Sequence, residues 1–442
     1  AESWYLTRKL CDASQEVVIR SEDCKTDKKI LITKEESELK WEDFFENIYW
    51  RVLAQDITDL KWTIILKKWD LLDKENISLL KKLEIAEIYY KSPLICMEPS
   101  GVCQKCYGMD LATRKLVDIW VPVWIIAAQS IWEPATQLTM KTFHHGWVAW
   151  GADMSQGIDR VTQLFEVRPP KKSAVVAPFD WIVSFSEKGA DNYINIASDY
   201  QKKSYILKDN YKFTVKKWDI IKKWWEYASK GSSKLKVQEE WTVLEIKKDS
   251  MSFGIKESFK KSYKWLVLLC KEWDYVYKWQ LLTNWPLDVN EYKDIVWDLE
   301  AQKYIIKEVQ KVYADQWQWL NDKHTEVVVK QLFSKVFIER PGDSGFIPWT
   351  HVKYEDFVKM NNELESQWKL PAEWRRLALG LTSIAKWTDS WLSAASFQET
   401  IRVMVGASLR WAIDNLSDLK SNVIIWRLLP VGEIYKKEHW YE

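Results

Sequence analysis

The sequence predicts an α+β chain of several domains, and three patterns carry that prediction. Over the first 170 or so residues, stretches with apolar side chains every three or four positions alternate with short β-forming runs. From about 173 to 286 the helical period gives way to short runs of Val, Ile and Tyr between turns. From about 290 the helical period returns. A chain of 442 residues has room for roughly two to four such domains.

Residues 1–20 read as the end of a helix, with Leu6, Leu10, Ala13 and Val17 as its apolar stripe. Cys24 follows in a polar turn. Between 30 and 95, strand-like Ile30–Ile32 and Thr63–Leu66 alternate with charged helical pieces around Leu79 to Ile88. The stretch Ile125 to Trp150 opens as a packed helix through Ile125, Ile126, Ala127 and Ala128. It breaks at Pro134, which lacks an N–H, and resumes at Gln137. If that second half is helical, Gln137, Met140, Lys141 and His144 stand at i, i+3, i+4 and i+7 and share one face. On spacing alone this is a core helix with a polar edge.

Residues 153–168 form a second amphipathic helix, signalled by Asp153 and Ser155 and striped by Ile158, Val161, Leu164 and Phe165. Pro169 to Lys172 is a linker. The β region beyond it resembles a barrel-sandwich module, although no lysine stands out as the attachment point of a carrier domain. Residues 290–340 return to helix, with Tyr304, Ile305, Val309 and Val312 in phase. His324 there reads as a capping or core histidine. Residues 393–410 read as one amphipathic helix entered from a Ser-rich turn, and Val423 to Ile425 as a short buried strand.

Charge excludes little. Sixty-four Lys and Arg against 63 Asp and Glu leave a net of +1, so any basic surface is local. The longest apolar region, Val117 to Ile131, is interrupted by Asp118, Pro122 and Gln129, which predicts no membrane span. The first residues carry neither an initiator Met nor the apolar core of a signal peptide, so a cytosolic chain beginning in mid-protein is expected.

Six cysteines are too few for a disulfide framework at this size. Cys96-x6-Cys103-x2-Cys106, with Gly108 behind it, has the spacing of a metal knuckle: a Cys-x-x-Cys turn places two thiolates on one side. Cys24, also in a polar turn, is the natural fourth ligand of a structural Zn²⁺ site. A redox-active pair is the weaker reading, because a thioredoxin-type motif needs a βαβ setting that is missing. Cys11 and Cys270 lie in apolar surroundings and read as buried thiols.

One count is abnormal: 30 Trp against 13 Gly, where Gly normally makes up roughly 7% of a chain. The tryptophans follow turn-like pairs, as in Lys67-Lys68-Trp69-Asp70, Lys216-Lys217-Trp218-Asp219 and Glu272-Trp273-Asp274. Such sites call for positive φ or for no side chain, which Gly supplies and a bulky aromatic does not. Our hypothesis is that most of these positions are UGA codons, read as glycine by the source organism and translated here as Trp. UGG at these positions in the gene would sink it. A genuinely Trp-rich binding protein is the alternative, but the positions suit turns rather than one aromatic face. Misplaced tryptophans would each cost on the order of 1–3 kcal/mol against a total stability of about 5–15 kcal/mol, so a chain holding all of them is not expected to fold.

These motifs together resemble a known family. SWYLTRKL, EDC at 22–24, GVCQKCYGMDL, IIAAQSIWEPATQLTMKTFHHGWVAW, QGIDRVTQLFEVRPPK, NDKHTEVVVKQ, LSAASFQETIRV and NVIIWRLLPVG match the C-terminal part of the β′ subunit of bacterial DNA-dependent RNA polymerase. The resemblance runs along essentially the whole chain. At most matched Trp positions, including Trp4, Trp124, Trp132 and Trp426, the family has Gly. Trp391 reads as genuine, and Trp374 and Trp41 stay open.

The resemblance implies five regions: the end of the bridge helix (1–20), a zinc-binding region (21–115), the trigger loop with flanking helices (116–170), a barrel-sandwich-like β module (171–288) and a helical C-terminal region with a switch segment (289–442). It implies that Ala1, Tyr5, Thr7 and Arg8 lie beside the template nucleic acid, with Glu2 replacing a usual Asn or Asp. Cys24, Cys96, Cys103 and Cys106 would hold one structural Zn²⁺. Gln137 and Leu138 would contact the incoming nucleotide, Met140 its base, and Lys141 and His144 its triphosphate as catalytic groups. The family's usual residue at 141 is Arg; Lys keeps the charge but loses the bidentate fork. His144 could act as general acid or as a positioned donor, and the second role is the safer. The family's Asn-Ala-Asp-Phe-Asp-Gly-Asp motif for Mg²⁺ does not occur in this chain, so no polymerase activity is expected from it alone.

Implied partners are the rest of β′, the β, α, ω and sigma subunits, template DNA, RNA and nucleoside triphosphates, with no membrane. The implied location is the cytoplasm, in association with the nucleoid. The competing reading is a non-catalytic, zinc-dependent nucleic-acid-binding or scaffold protein. An upstream reading frame with the Asp motif would favour the first and a true start codon at residue 1 the second.

Overall fold

Leu6, Leu10 and Ala13 bury one face of the first helix, α1 (Glu2–Ser14), while Trp4, Tyr5 and Arg8 face outward. Val17 is buried too, but beyond the helix end. In this computed structural model the described residues are 2–39, 44–58, 64–83, 85–98, 101–144, 157–171, 173–188, 191–197, 201–206, 212–213, 220–221, 226–230, 233–236, 241–246, 250–255, 258–262, 267–296, 298–367, 369–416, 418–432 and 434–435. They are α+β and divide into two units: residues 1–168 with 297–442, and residues 169–296.

In the first unit, strand Ile30–Thr33 pairs antiparallel with Glu87–Tyr90, and Ile32 and Ile88 meet in register over a core of Phe44, Ile48, Leu53, Leu72 and Leu80. Helices α2 (Lys34–Leu39), α3 (Phe44–Ile48) and α4 (Lys74–Lys82) surround it. α4 begins where the Asp73 carboxylate accepts the N–H of Asn76, an N-cap that satisfies an otherwise orphaned donor. The helix expected around Leu79 to Ile88 therefore starts earlier and stops at Lys82, and Ile88 is a strand residue. A turn of 3₁₀ helix (Pro93–Ile95) and the one-turn α5 (Gln104–Tyr107) lead into α6 (Val123–His144).

α6 corrects an expectation. The helix runs through Pro134 instead of breaking there. Proline removes one hydrogen bond, but Ala127, Ala128, Ile131 and Ala135 are all fully buried, and that packing against α1 and α10 (Asp322–Leu332) holds the helix together. α7 (Ile158–Phe165) buries Ile158, Val161, Leu164 and Phe165 as expected, but is capped at Gly157; Asp153 and Ser155 lie outside the described residues.

The second unit is antiparallel. Eleven strands among its described residues form sheets ordered 258–262, 191–197, 181–188, 275–276; then 201–206, 250–255, 241–246, 220–221; then 233–236, 226–230, 212–213. Val175, Ala177, Val183, Ile194, Cys270, Val276 and Leu282 form a core, and α8 (Val289–Ile295) follows. Cys270 is buried as expected; Cys11, in the first unit, is only partly so.

Beyond it, α9 (Asp298–Ala314) turns inward on Ala301, Ile305, Ile306, Val309 and Tyr313, one step round from the expected stripe. The region expected to be helical to 340 ends in a strand, Lys335–Arg340, paired on both sides with His351–Lys353 and Glu373–Arg376. Its alternating burial of Val336 and Ile338 suits a strand. α11 (Tyr354–Ser366) and α12 (Leu381–Lys386) precede a further correction. The single helix expected over 393–410 is two, α13 (Trp391–Phe397) and α14 (Thr400–Leu409), separated at Glu399 with φ +57°. Another concerns Val423 to Ile425: Val423 and Ile424 lie in α15 (Leu419–Ile424), Ile425 caps it, and all three are exposed, not a buried strand.

The tryptophans occupy revealing backbone. Of the fourteen non-glycine residues with positive φ among the described residues, nine are Trp: 50, 69, 120, 273, 279, 317, 349, 411 and 426. Three of them end helices in the same way. After α9, α14 and α15, the N–H groups of Gln318, Ala412 and Arg427 reach back to the carbonyls of Tyr313, Ala407 and Asn422 at 3.0, 3.0 and 2.9 Å. The residues before them, Trp317, Trp411 and Trp426, are left-handed at φ +59°, +51° and +60°. This is the Schellman closure, whose left-handed residue is usually Gly. Trp374 and Trp391 carry no positive φ, and Trp374 packs on Phe357 and Tyr354 with ring centroids 5.2 and 5.7 Å away.

Candidate metal centre and the α6 helix

Cys96, Cys103 and Cys106 are buried in one core with Val17, Ile19, Val102, Tyr107 and Val117, and Cys24 packs against it. The four Sγ atoms lie within 4.8 Å of one another, and Cys24 and Cys106 stand 3.7 Å apart. That is far longer than a disulfide, about 2.04 Å. It matches the edge of a tetrahedron with metal–sulfur bonds of about 2.3 Å, which is about 3.8 Å. The backbone N–H of Cys103 points at Cys96 Sγ and that of Cys106 at Cys103 Sγ, both at 3.4 Å. The thiols share protons unequally. Hydrogen bonds from Cys103, Cys106 and Cys96 hold Cys24 far below the usual thiol range, while the same sharing pushes Cys106 far above it. Four such groups can all ionise only around a cation, and the donor set fits a metal ion.

Two glycines make the turn possible. Gly101 has φ +132°, and a Cβ there would fall 2.1 Å from the Val18 carbonyl oxygen. Gly108 has φ +85°, and a Cβ would fall 2.4 Å from the Trp50 carbonyl oxygen.

Sequence reasoning missed the polar groups under this knuckle. Lys323, Glu326 and Lys330 of α10 are 0%, 3% and 7% exposed. Lys330 Nζ donates to the Gly101 carbonyl at 2.6 Å and Lys323 Nζ to the Met109 carbonyl at 2.9 Å. Glu326 accepts two bonds from Arg51, at 2.5 and 2.8 Å, and one from Ser92 at 3.0 Å. Burial drives Lys323 well below its ordinary range, and Glu326 holds Arg51 above its own despite burial. The signal was present as three charged residues at i, i+3 and i+7 through a Val-rich run. His324 beside them is buried, its Nδ1 has no hydrogen-bond partner among the described residues, and burial next to Lys323 and Arg51 lowers it to about 4.

The backbone of α6 carries Gln137, Leu138, Met140, Lys141 and His144 in one helix; the described side chains of α6 end at Thr136. Its first turns, at Val123 and Ala127, belong to the cysteine core. Tyr313 donates to the Ile131 carbonyl at 3.0 Å. Of the α1 candidates, Ala1 lies outside the described residues and Thr7 is half-buried. Tyr5 and Arg8 are brought together at the α13–α14 junction: Gln398 Nε2 donates to Tyr5 Oη at 2.7 Å, and Arg8 donates to the Phe397 carbonyl at 2.8 Å. On the inner side of α1, Lys9 pairs with Glu166 at 2.5 Å, and Thr382 donates to the same carboxylate at 2.7 Å. Burial pushes Glu166 up, but Lys9 and Thr382 outweigh it and hold the carboxylate below its usual range. α1, α7 and α12 thus meet on one ion pair.

Residues 1–354 match the family model for RNA polymerase Rpb1, domain 5. The chain belongs to this family. It is also similar to DNA-directed RNA polymerase β′ subunits: 36% identical to that of Caldanaerobacter subterraneus subsp. tengcongensis over 98% of this chain and 32% of the relative. With that of a Roseiflexus species the identity is 35%, over 98% of this chain and 30% of the relative. With that of Thermus thermophilus it is 36%, over 98% and 25%. The chain spans about a third or less of the length of these relatives. Among the described residues no helix is long and apolar enough to cross a membrane.

Proposed function

We propose that this chain is the part of a DNA-directed RNA polymerase β′ subunit that carries a structural zinc centre and the trigger loop. The observation that carries it is the match over 98% of the chain to β′ subunits, with a four-cysteine centre in the core that seats the base of α6. In this reading Cys24, Cys96, Cys103 and Cys106 hold one Zn²⁺, which locks the knuckle as a fixed cross-link when bound. The division at 20, 115, 170 and 288 into bridge-helix end, zinc region, trigger loop, barrel-sandwich module and C-terminal switch region belongs to the same proposal. So do a cytoplasmic, nucleoid-associated location and assembly with the rest of β′ and the β, α, ω and sigma subunits.

α6 would close over the incoming nucleoside triphosphate and exclude water. Gln137 and Leu138 contact the nucleotide, Met140 packs on its base, and Lys141 and His144 face the triphosphate. Ala1, Tyr5, Thr7 and Arg8 line the template. Phosphoryl transfer needs mostly positioning and charge stabilisation, so His144 acts as a positioned donor, while the Mg²⁺ ligands come from outside these 442 residues. The test is single-nucleotide addition by the assembled polymerase. His144→Ala should slow it about 10²-fold, within the range for one lost catalytic donor. His144→Gln, which keeps a donor, should recover most of that rate. Equal loss in both variants would favour a general acid, and no loss in either would remove His144 from the site.

A further inference from the structure

We propose that one face of α10 positions the four-cysteine centre and ties its occupancy to α6. The inference rests on the metal reading above and extends it to residues that touch no ligand atom. Lys323, Glu326 and Lys330 sit at i, i+3 and i+7, which places them on one side of the helix. Each is fastened to a different point on the chain that carries the cysteines. Lys330 holds the Gly101 carbonyl, two residues before Cys103. Lys323 holds the Met109 carbonyl, three residues after Cys106. Glu326 holds Ser92, whose hydroxyl caps the 3₁₀ turn Pro93–Ile95 by accepting the Leu94 N–H at 3.1 Å; Cys96 is the next residue.

The entry to Cys96 and both sides of the Cys103–Cys106 turn are thus pinned by a single rigid rod. In these buried hydrogen bonds the two lysines donate and Glu326 accepts, away from water, and such bonds are costly to lose. The backbone is closely packed at this anchor: a Cβ at Gly108 would fall 2.4 Å from the Trp50 carbonyl oxygen and 3.5 Å from Lys323 Nζ. Through Val327 the same helix enters the core that holds Cys96, Cys103 and Cys106 together with Val123 and Ala127 of α6. A change in the knuckle therefore reaches the base of α6 through this shared core, which α10 joins at Val327.

The experiment uses the full chain in its assembled polymerase. Elemental analysis first establishes bound zinc; a metal-free wild-type protein would end the zinc reading itself. With metal bound, Lys330→Met, Lys323→Met and Glu326→Gln should each speed zinc release to a chelator about 10–100-fold, the usual effect of losing a group that supports a ligand. Replacing zinc by cobalt should show altered thiolate-to-metal bands in these variants. Lys330→Arg, which keeps a donor, should return release toward wild type. Wild-type release rates and spectra in all three variants would overturn the proposal. A second measurement needs no variant: stripping the metal should raise amide exchange in residues 322–332 and 123–131 along with 101–109. Exchange confined to 101–109 would overturn the coupling.

Discussion

Replacing Trp317, Trp411 and Trp426 by Gly should stabilise the protein, although each change deletes the largest side chain. The three side chains are 94%, 90% and 95% exposed, so almost no packing is lost. Each residue sits at φ between +51° and +60° in a Schellman closure. For an L-residue that backbone costs roughly 1–2 kcal/mol. Glycine returns about 0.4–1 kcal/mol of that through the extra freedom of the unfolded chain. The net gain is about 0.5–1 kcal/mol per site, and about 1.5–3 kcal/mol for the triple variant, since the sites end different helices and should add. Trp374→Gly is the contrasting case. That residue lies in a strand without positive φ and packs on Phe357 and Tyr354, so its loss should cost about 2–3 kcal/mol. Urea unfolding followed by far-UV circular dichroism reads both signs. A triple variant less stable than the parent, or the same sign at Trp374, would refute the reasoning. Mass spectrometry of the protein from its own source is the companion assay. Glycine in the tryptic peptides that span these positions is expected, and tryptophan there would refute the recoding.

His324 is buried neutral, so it should make stability depend on pH. Its folded value near 4 lies below the ordinary 6.5, so the unfolded chain takes up the proton first and stability falls as pH drops from about 6.5 to 4, by about 3 kcal/mol in all; His324→Gln should flatten urea-unfolding midpoints over that range. Gly108→Ala should weaken zinc retention and lower stability by more than about 2 kcal/mol, because the added Cβ meets a backbone oxygen that cannot yield; metal content and thermal unfolding check it. Together with the His144 and α10 variants, these measurements probe the nucleotide-facing helix, its anchor and the backbone that holds both.

Local chemistry is legible in the sequence itself. Cys24, Cys96, Cys103 and Cys106 stand out by their turns and spacing, and the structure brings their sulfurs together. The stripe of α7 and the β character of residues 173–286 are equally plain, because the period of apolar residues is a local property, whereas the antiparallel pairing comes only with the structure. The surplus of Trp reads as a problem of backbone conformation, and nine tryptophans do have positive φ; Trp4, Trp124 and Trp132, which the same reading takes as glycine, lie inside helices, and Trp218 lies outside the described residues.

What the sequence could not decide were outcomes of packing between distant segments. Pro134 reads as a helix breaker in isolation, yet Ala127, Ala128, Ile131 and Ala135 bury α6 so fully that the helix continues. Val423, Ile424 and Ile425 read as a buried strand, but they stay exposed in and beside α15, since β-branched runs become strands only where a partner strand is present. The hold of α10 on the knuckle was the least visible. Lys323, Glu326 and Lys330 look like an ordinary solvated edge in the sequence. Only the tertiary fold carries their partners, Met109, Ser92 and Gly101, more than 200 positions away, to where burial makes each bond matter.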